Sequence, residues 1–411
     1  MVEPMPLLPV EDALVRLLRA AKPVSETESL SLALAHGRIL AAPVSARLTQ
    51  PPFNASAMDG YALRHADVVS GKPLKVIGES AAGKAFSGTV SEGQAVRIFT
   101  GAPVPQGADT VLLQEDAAFN DDGTLAATFQ PSLGRHIRPR GQDFAEGEIV
   151  LHKGMQLDAS RLMVAAAMNH ATLEVYRRPK VAIMATGDEL VAPGNTPKPD
   201  QIVASNNFAI GALAREAGAD VLDLGIIPDR MDALAAGIAE ARAANVDMLV
   251  TLGGASVGDH DLVQKALKTA GMELDFWRLA MRPGKPLMAG KLDAVSVLGL
   301  PGNPVSSLVC ALLFMQPVLR KMAHRPDASN EADVIVTRDL AENDKRRDHL
   351  RATLTLREDG ALLAEPFDKQ DSSMMKILAQ SGCLIIRPPF APPLKAGETA
   401  KAIILREPGT V

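Results

Sequence analysis

The sequence predicts a multidomain α/β protein built around a doubly wound parallel sheet, and three observations carry that expectation. The chain has 411 residues, too many for one ordinary core. Across residues 178–325 the apolar runs VAIMA, VLDLGII, DMLVTLG and VSVLGL alternate with helical segments, the signature of parallel strands joined by crossover helices. On either side the texture changes to short β-like runs separated by Gly, Pro and Ser, which implies satellite β domains.

In chain order, Val10, Leu14, Leu17, Leu18 and Ala21 keep helical spacing, and Ser25 with Glu28 stand in capping-box positions for a second helix ending near Gly37. From 46 to 145 the runs LKVIG, AVRIFT and TVLLQED predict a small β-rich inserted domain. Within 147–177, SRLMVAAAMNHA reads as a helix expected to pack back on the first helices, so that 1–45 and 146–177 form one N-terminal helical domain. The α/β domain follows over 178–326. Its stretch VSSLVCALLFM (305–315) is too short to span a bilayer and is followed by Pro317, which reads as a buried helix. DVIVTRDL, LRATLTLRE, GCLIIRP and AKAIILRE predict a compact β domain over 327–411.

Hydrophobic residues make up 47% and charged residues 22%, a globular composition. A formal charge of -5 gives no general attraction to nucleic acid or an acidic membrane. Cys310 and Cys383 lie outside any CxxC spacing, against a disulfide framework or a structural zinc and in favour of buried thiols. The opening MVEPMPLLPVEDALV has acids and prolines where a signal peptide needs a basic start and an apolar run, so a cytoplasmic protein is expected.

In a doubly wound sheet, ligands bind beyond the C-terminal ends of the strands. The segments there are TGDEL (186–190), PDR (228–230), GGASVGDHD (253–261) and GLPGNPVS (299–306). In the last, a strand meets a glycine turn, Asn303 as helix cap and Pro304 at the first helical position, which makes an anion site or simple capping. GGASVGDHD adds a second glycine loop with Ser256, Asp259 and Asp261, and two such loops on one rim suit a phosphorylated ligand. The acids Asp188, Glu189, Asp229, Asp259 and Asp261 converge on that rim and suit magnesium completed by ligand phosphates. Glu189 and Asp229 stand out, whereas Asp188 is ambiguous between metal and turn. Arg278, Arg282 and Lys285 surround a Pro-Gly turn, an anion-holding cluster or a solvated loop. Spacing shows no Ser-His-Asp or Cys-His arrangement. In NASAMDGYAL (54–63), small residues beside the lone Asp59 suggest a shaped loop, with Gly60 allowing close approach.

SAMDGYAL, TGAPVP, GADTVLLQED, RHIRPRGQD, MATGDEL, the Ser205-Asn206 pair, GGASVGDHD, MRPGKP and GLPGNPVS occur in an order that resembles the molybdopterin molybdenumtransferases, the MoeA family, which includes the E domain of gephyrin. The resemblance spans essentially the whole chain. It implies a four-part subunit with a molybdopterin-binding central domain and a C-terminal β-barrel-like domain, working as a homodimer whose active-site cleft both subunits share. It implies a reaction in which adenylylated molybdopterin is hydrolysed, AMP leaves, and molybdate enters the dithiolene with help from Mg2+ or another divalent metal. Molybdopterin adenylyltransferase and molybdoenzyme maturation factors are the implied partners.

Carried over residue by residue, the resemblance assigns Asp59, Thr100 and Asp143 to the small domain's side of the cleft and Glu189, Asp229 and Asp261 to metal-assisted hydrolysis. Asp59, Glu189 and Asp229 are the implied metal ligands. Ser256, Asp259, Gly302 and Asn303 fall in the pterin-phosphate and nucleotide loops, with Arg278, Arg282 and Lys285 beside them, and Arg351, Ser372 and Ser373 match positions near molybdate. Arg278 and Arg282 stand where many relatives have lysine, and Gln142 replaces a common acid. Two alternatives share parts of this pattern: a molybdopterin adenylyltransferase, which has the α/β domain alone, and a gephyrin-like interaction scaffold.

Overall fold

A computed structural model describes residues 7–254, 262–327 and 330–409. They form two compact units, one of residues up to Glu28 together with Tyr176–Val411, the other Ser29–Val175.

The larger unit is built on a six-stranded sheet ordered Asp220–Ile227, Lys180–Thr186, Met248–Leu252, Val295–Leu300, Met288–Leu292 and Glu273–Trp277. The first four strands are parallel and are the four apolar runs expected from the sequence. The last two pair antiparallel and extend the sheet beyond that expectation. Alternation along Lys180–Thr186 explains the double winding. Val181, Ile183 and Ala185 join one core with helices Asn206–Glu216 and Pro304–Cys310, while Ala182 and Met184 join the opposite core with helices Met231–Ala243 and Leu262–Thr269.

The helix beginning at Pro304 runs on to Met322, past Pro317, because Ala311–Met315 widens into a π turn. Pro317 offers no N–H to the previous turn and its ring would strike the carbonyl four residues back; the wider turn relieves both. By length and composition this helix could cross a membrane, yet its most apolar window is 61% buried inside the unit.

The N-terminal helix Val10–Ala20 places Val10, Ala13, Leu14, Leu17 and Leu18 on the first of those cores. The second expected helix is not formed. Residues Thr27–Ser31 are a strand and Leu32–Leu34 a 3-10 turn, because packing overrides the local signal: Leu30 and Leu32 rest on the core that holds Leu40 and Leu157, while Leu34 is exposed. The helix of SRLMVAAAMNHA, Ala159–Ala167, is formed and capped by Asp158, but it packs with Leu40, Val44, Leu157 and Leu173 inside the unit Ser29–Val175, while Val10–Ala20 belongs to the other unit.

The C-terminal strands close into a barrel. Arg347–Leu356 pairs with both Leu362–Pro366 and Cys383–Arg387, and Glu331–Val336 with Thr399–Ile404 completes the ring. Closure leaves no long unpaired edge among these strands. Leu362–Pro366, which follows a tight turn, is the strand that the sequence expectation lacked.

The unit Ser29–Val175 holds a four-stranded sheet ordered Lys75–Ser80, Gln94–Ile98, Gly60–Leu63 and Thr110–Leu113. Its core is Leu63, Leu74, Ala95, Leu112 and Leu125.

Candidate functional site

In the parallel sheet, strand order reverses at Lys180–Thr186: the next strand in sequence, Asp220–Ile227, lies on one side and Met248–Leu252 on the other. A crevice opens at such a reversal beyond the carboxyl ends of the strands. Here it is a pocket of about 720 Å³ lined by Thr186, Gly187, Glu189, Asp229, Gly253 and Gly254, by Gly302 and Asn303, and by Ser373 and Met375 from the C-terminal segment.

Two glycines are dictated by this geometry. Gly187 has φ +146, and a Cβ there would sit 2.3 Å from Glu189 Oε2, so the carboxylate folds over bare backbone. Gly253 has φ +96 and a Cβ would lie 2.8 Å from the Thr186 carbonyl. Gly302 differs: nothing stands nearer than 3.8 Å to its missing Cβ, so the protein's own packing does not require glycine. The open space faces the pocket, and the Gly302 carbonyl accepts a hydrogen bond of 2.8 Å from Asn206 Nδ2.

Glu189 and Asp229 line the pocket together, as expected. Asp188 Oδ1 accepts the Asp229 amide at 3.1 Å, which gives Asp188 a turn role. Desolvation, followed by the charges of Asp188 and Glu189, raises the Asp229 carboxyl above its ordinary range. Crowded carboxylates of this kind gain from a cation. Among the described residues no group of three or more His, Cys, Asp or Glu is placed to hold a metal. The hard oxygen donors present fit a magnesium ion that takes one or two carboxylates and completes its shell with ligand phosphates and water.

Asn303 occupies the N-cap position but does not cap with its side chain. Its Nδ2 donates instead to Ser372 Oγ at 3.1 Å, and the Ser372 carbonyl accepts the Val305 amide at 3.1 Å, so the C-terminal segment takes one of the helix's first N–H groups. Ser373 lines the pocket; its amide and hydroxyl both bond Asp371 Oδ1, at 2.8 and 2.6 Å.

The basic cluster departs from expectation. Arg282 grips Asp348 with Nε at 2.9 and 3.0 Å and with Nη2, and lies 3.6 Å from Asp344, so its charge is already paired within the chain. Arg278 sits at φ 137 with its guanidinium over the Trp277 ring. Lys285 is exposed, next to Pro286 of the pocket wall. Arg351 is not on the pocket surface: it is 1% exposed and donates to Gln370 and to the Asp371 carbonyl. Burial lowers its affinity for its proton. Ser256, Asp259 and Asp261 lie outside the described residues.

Within the unit Ser29–Val175, Asp59 Oδ1 accepts the amide and the hydroxyl of Thr100, each at 2.8 Å. These bonds hold the exposed Asp59 carboxyl below its ordinary range, with the Arg97 charge a smaller contribution. Gly60 is glycine for a different reason than expected. It pairs with Ile98 and Leu113 in the sheet, and a Cβ would fall 1.9 Å from the Leu112 carbonyl, so strand packing and not ligand approach demands it. Asp143 lines a separate cleft of about 520 Å³ with Arg138, Gln142 and Gly101.

Sequence reasoning missed Met375, Ile202 and the Asn206 contact with Gly302. The Ser205-Asn206 pair was the available signal for the last, since it opens the helix Asn206–Glu216 beside the crevice. Met375 carried none: it opens the short helix Met375–Gln380, and nothing local marks that helix as standing at the crevice.

Comparison with known proteins covers nearly the whole chain. Residues 8–169 match the MoeA N-terminal region (domain I and II), residues 182–321 a probable molybdopterin binding domain, and residues 333–405 the MoeA C-terminal region (domain IV). A molybdopterin molybdenumtransferase of Haemophilus influenzae is 34% identical over 96% of this chain and 97% of its own length. One from Bacillus subtilis is 33% identical over 99% and 96%. The crystal structure of a molybdopterin biosynthesis MoeA protein from Pyrococcus horikosii superposes with a TM-score of 0.83 at 28% identity, covering 98% of this chain and 100% of that one.

Proposed function

Because the chain belongs to the molybdopterin molybdenumtransferase (MoeA) family and is a transferase of molybdenum cofactor biosynthesis, we propose that its strand-end pocket binds adenylylated molybdopterin and that the reaction releases AMP as molybdate is inserted. The observation that carries this reading is the pocket itself. Two glycine turns, at Gly253–Gly254 and Gly302, line one crevice with the carboxylates of Glu189 and Asp229. A diphosphate bridged to a divalent cation needs that combination of donors and acids.

Glu189 and Asp229 would hold Mg2+, which supplies charge neutralisation at the pyrophosphate when bound. The chain's own residues do the rest. Gly302 lets phosphate oxygens approach backbone, Asn303 and Ser373 present polar groups to the substrate, and Glu189 and Asp229 would orient an attacking water. Asp59, paired with Thr100, and Asp143 are assigned further acidic roles in hydrolysis, and Ser256, Asp259 and Asp261 roles in phosphate and metal binding. The Arg282–Asp348 pair engages the Arg282 charge within the chain, and the exposed Lys285 and the half-buried Arg278 are the cations of that cluster offered to the anion. A homodimer in the cytoplasm, handing its product to molybdoenzyme maturation factors, completes the reading. A lone adenylyltransferase is disfavoured, since the matched regions extend on both sides of the central domain.

The test is AMP release from adenylylated molybdopterin by the purified chain with magnesium, with and without molybdate, coupled to activation of a cofactor-free molybdoenzyme. Molybdate-dependent AMP release with activation is expected. Tight binding without turnover, under conditions where a known family member is active, would replace the transferase mechanism with a carrier or scaffold.

A further inference from the structure

We infer that Gln370 is a positioning residue: by clamping Arg351 it fixes the 371–373 loop on the N-terminal end of the Pro304–Met322 helix and so sets the serine wall of the pocket. The inference rests on the reading of that pocket as the substrate site.

The Gln370 amide uses its full bonding capacity. Its Oε1 accepts the Arg351 amide at 2.9 Å and Arg351 Nε at 3.2 Å, and its Nε2 donates to the carbonyls of Arg351 and Phe367, each at 2.9 Å. Arg351 Nη1 then donates to the Asp371 carbonyl at 2.7 Å. Because Arg351 is buried in the barrel strand Arg347–Leu356, which is paired on both sides, this clamp ties the loop to the barrel wall.

From there a continuous path leads to the pocket. Asp371 Oδ1 takes the amide and hydroxyl of Ser373, the Ser372 carbonyl takes the Val305 amide, and Ser372 Oγ takes Asn303 Nδ2. Asn303 and Ser373 both line the pocket. A short polar loop without an anchor would lose conformational freedom on binding; an anchored one has lost it on folding, so substrate meets a formed wall. The side chain must be glutamine to do this. Glutamate would point a carboxylate at two carbonyls, and methionine would leave buried donors of Arg351 unpaired.

The experiment compares the full chain with Gln370→Met and Gln370→Glu by amide hydrogen exchange and by AMP-release kinetics. Exchange at the Val305 and Ser373 amides should quicken at least about tenfold, with the Met248–Leu252 strand unchanged. KM for adenylylated molybdopterin should rise about tenfold with a smaller change in kcat, and Gln370→Met should add less than about twofold on a Ser373→Ala background. Unchanged protection at Val305 and Ser373 in both variants overturns the clamp, and additive kinetic losses overturn its action through Ser373. If the unmodified chain releases no AMP, the substrate reading fails by itself, and the exchange data still decide whether Gln370 holds the loop. Gln370→Glu, which keeps an acceptor for Arg351, serves if Gln370→Met does not fold.

Discussion

A single oxygen of Asp59 accepts two hydrogen bonds from Thr100, 41 residues away in sequence, one from the amide and one from the hydroxyl, both 2.8 Å long. An aspartate before glycine often closes its own turn; this one is held from another strand end. The two donors stabilise the ionised form, so the carboxyl stays charged to lower pH than usual. Sequence adjacency of Asp59 and Gly60 therefore joins two separate demands: a fixed carboxylate, and a strand start with no room for a Cβ.

Asp59→Asn keeps an acceptor for Thr100 and loses the charge. Molybdate-dependent AMP release should fall by about 10²-fold or more, with the melting temperature within about 2 °C of the parent. A fully active variant would remove Asp59 from the chemistry. Thr100→Val, which deletes only the hydroxyl bond, should give a smaller loss.

Gly302→Ala separates ligand approach from packing. With the nearest atom, the Gly253 Cα, 3.8 Å from the added methyl, folding should tolerate it, leaving the melting temperature unchanged within about 2 °C. If substrate lies against this backbone, KM should rise about tenfold. Gly187→Ala contrasts with it, since there the methyl meets the Glu189 carboxylate. That variant should weaken the magnesium dependence of turnover by displacing Glu189. Equal KM values for the parent and Gly302→Ala would place the substrate elsewhere.

Asp229 gives a stability test with a definite sign. Its carboxyl titrates above the ordinary 3.8 because it is desolvated and faces Asp188 and Glu189. A raised folded pKa in an acid means that folding disfavours the charged form. Stability is unaffected below 3.8, declines as pH rises through the folded pKa, and stays reduced at neutral pH. Asp229→Asn should therefore raise the melting temperature by about 1–3 °C at pH ~7 without magnesium, lose that gain in strong acid, and abolish most metal-dependent turnover. A variant less stable than the parent at neutral pH would contradict the like-charge account.

The parallel strands were legible because VAIMA and MLVTL are buried on both faces and read as near-continuous apolar runs, with Thr251 the one polar residue. The antiparallel extension was not, since MAGKL and ELDFW carry Gly, Lys and acids that blur any period. Leu30, Leu32 and Leu34 fit both a helix start and a strand, and the capping-box signal favoured the wrong one. At the site, Glu189 and Asp229 could be paired from topology alone, because each follows a neighbouring strand. Arg282 could not be read in the same way. Its partner Asp348 lies 66 positions on, in a different domain, and local sequence shows only a free-looking cation beside a turn. Arg351 bonds Gln370 and the Asp371 carbonyl, 19 and 20 positions on, in a loop that no local pattern in the sequence announces.

His349 lies on the same barrel strand as Arg351 and is 2% exposed. Burial, reinforced by the Arg347 charge, drives its imidazole down to about 3 from an ordinary 6.5. A lowered folded pKa in a base means that the unfolded chain takes up the proton first. The barrel thus loses stability as pH falls from 6.5 towards about 3, by an amount on the order of a few kcal/mol. His349→Leu, of similar bulk and without a titrating group, should flatten the fall of the urea midpoint between pH ~6.5 and ~4 while leaving the midpoint at pH ~8 within about 0.3 M of the parent. His349 does not line the pocket, so AMP release at pH ~8 should be unchanged. Parallel acid curves for parent and variant would show that the imidazole is charged in the folded barrel after all.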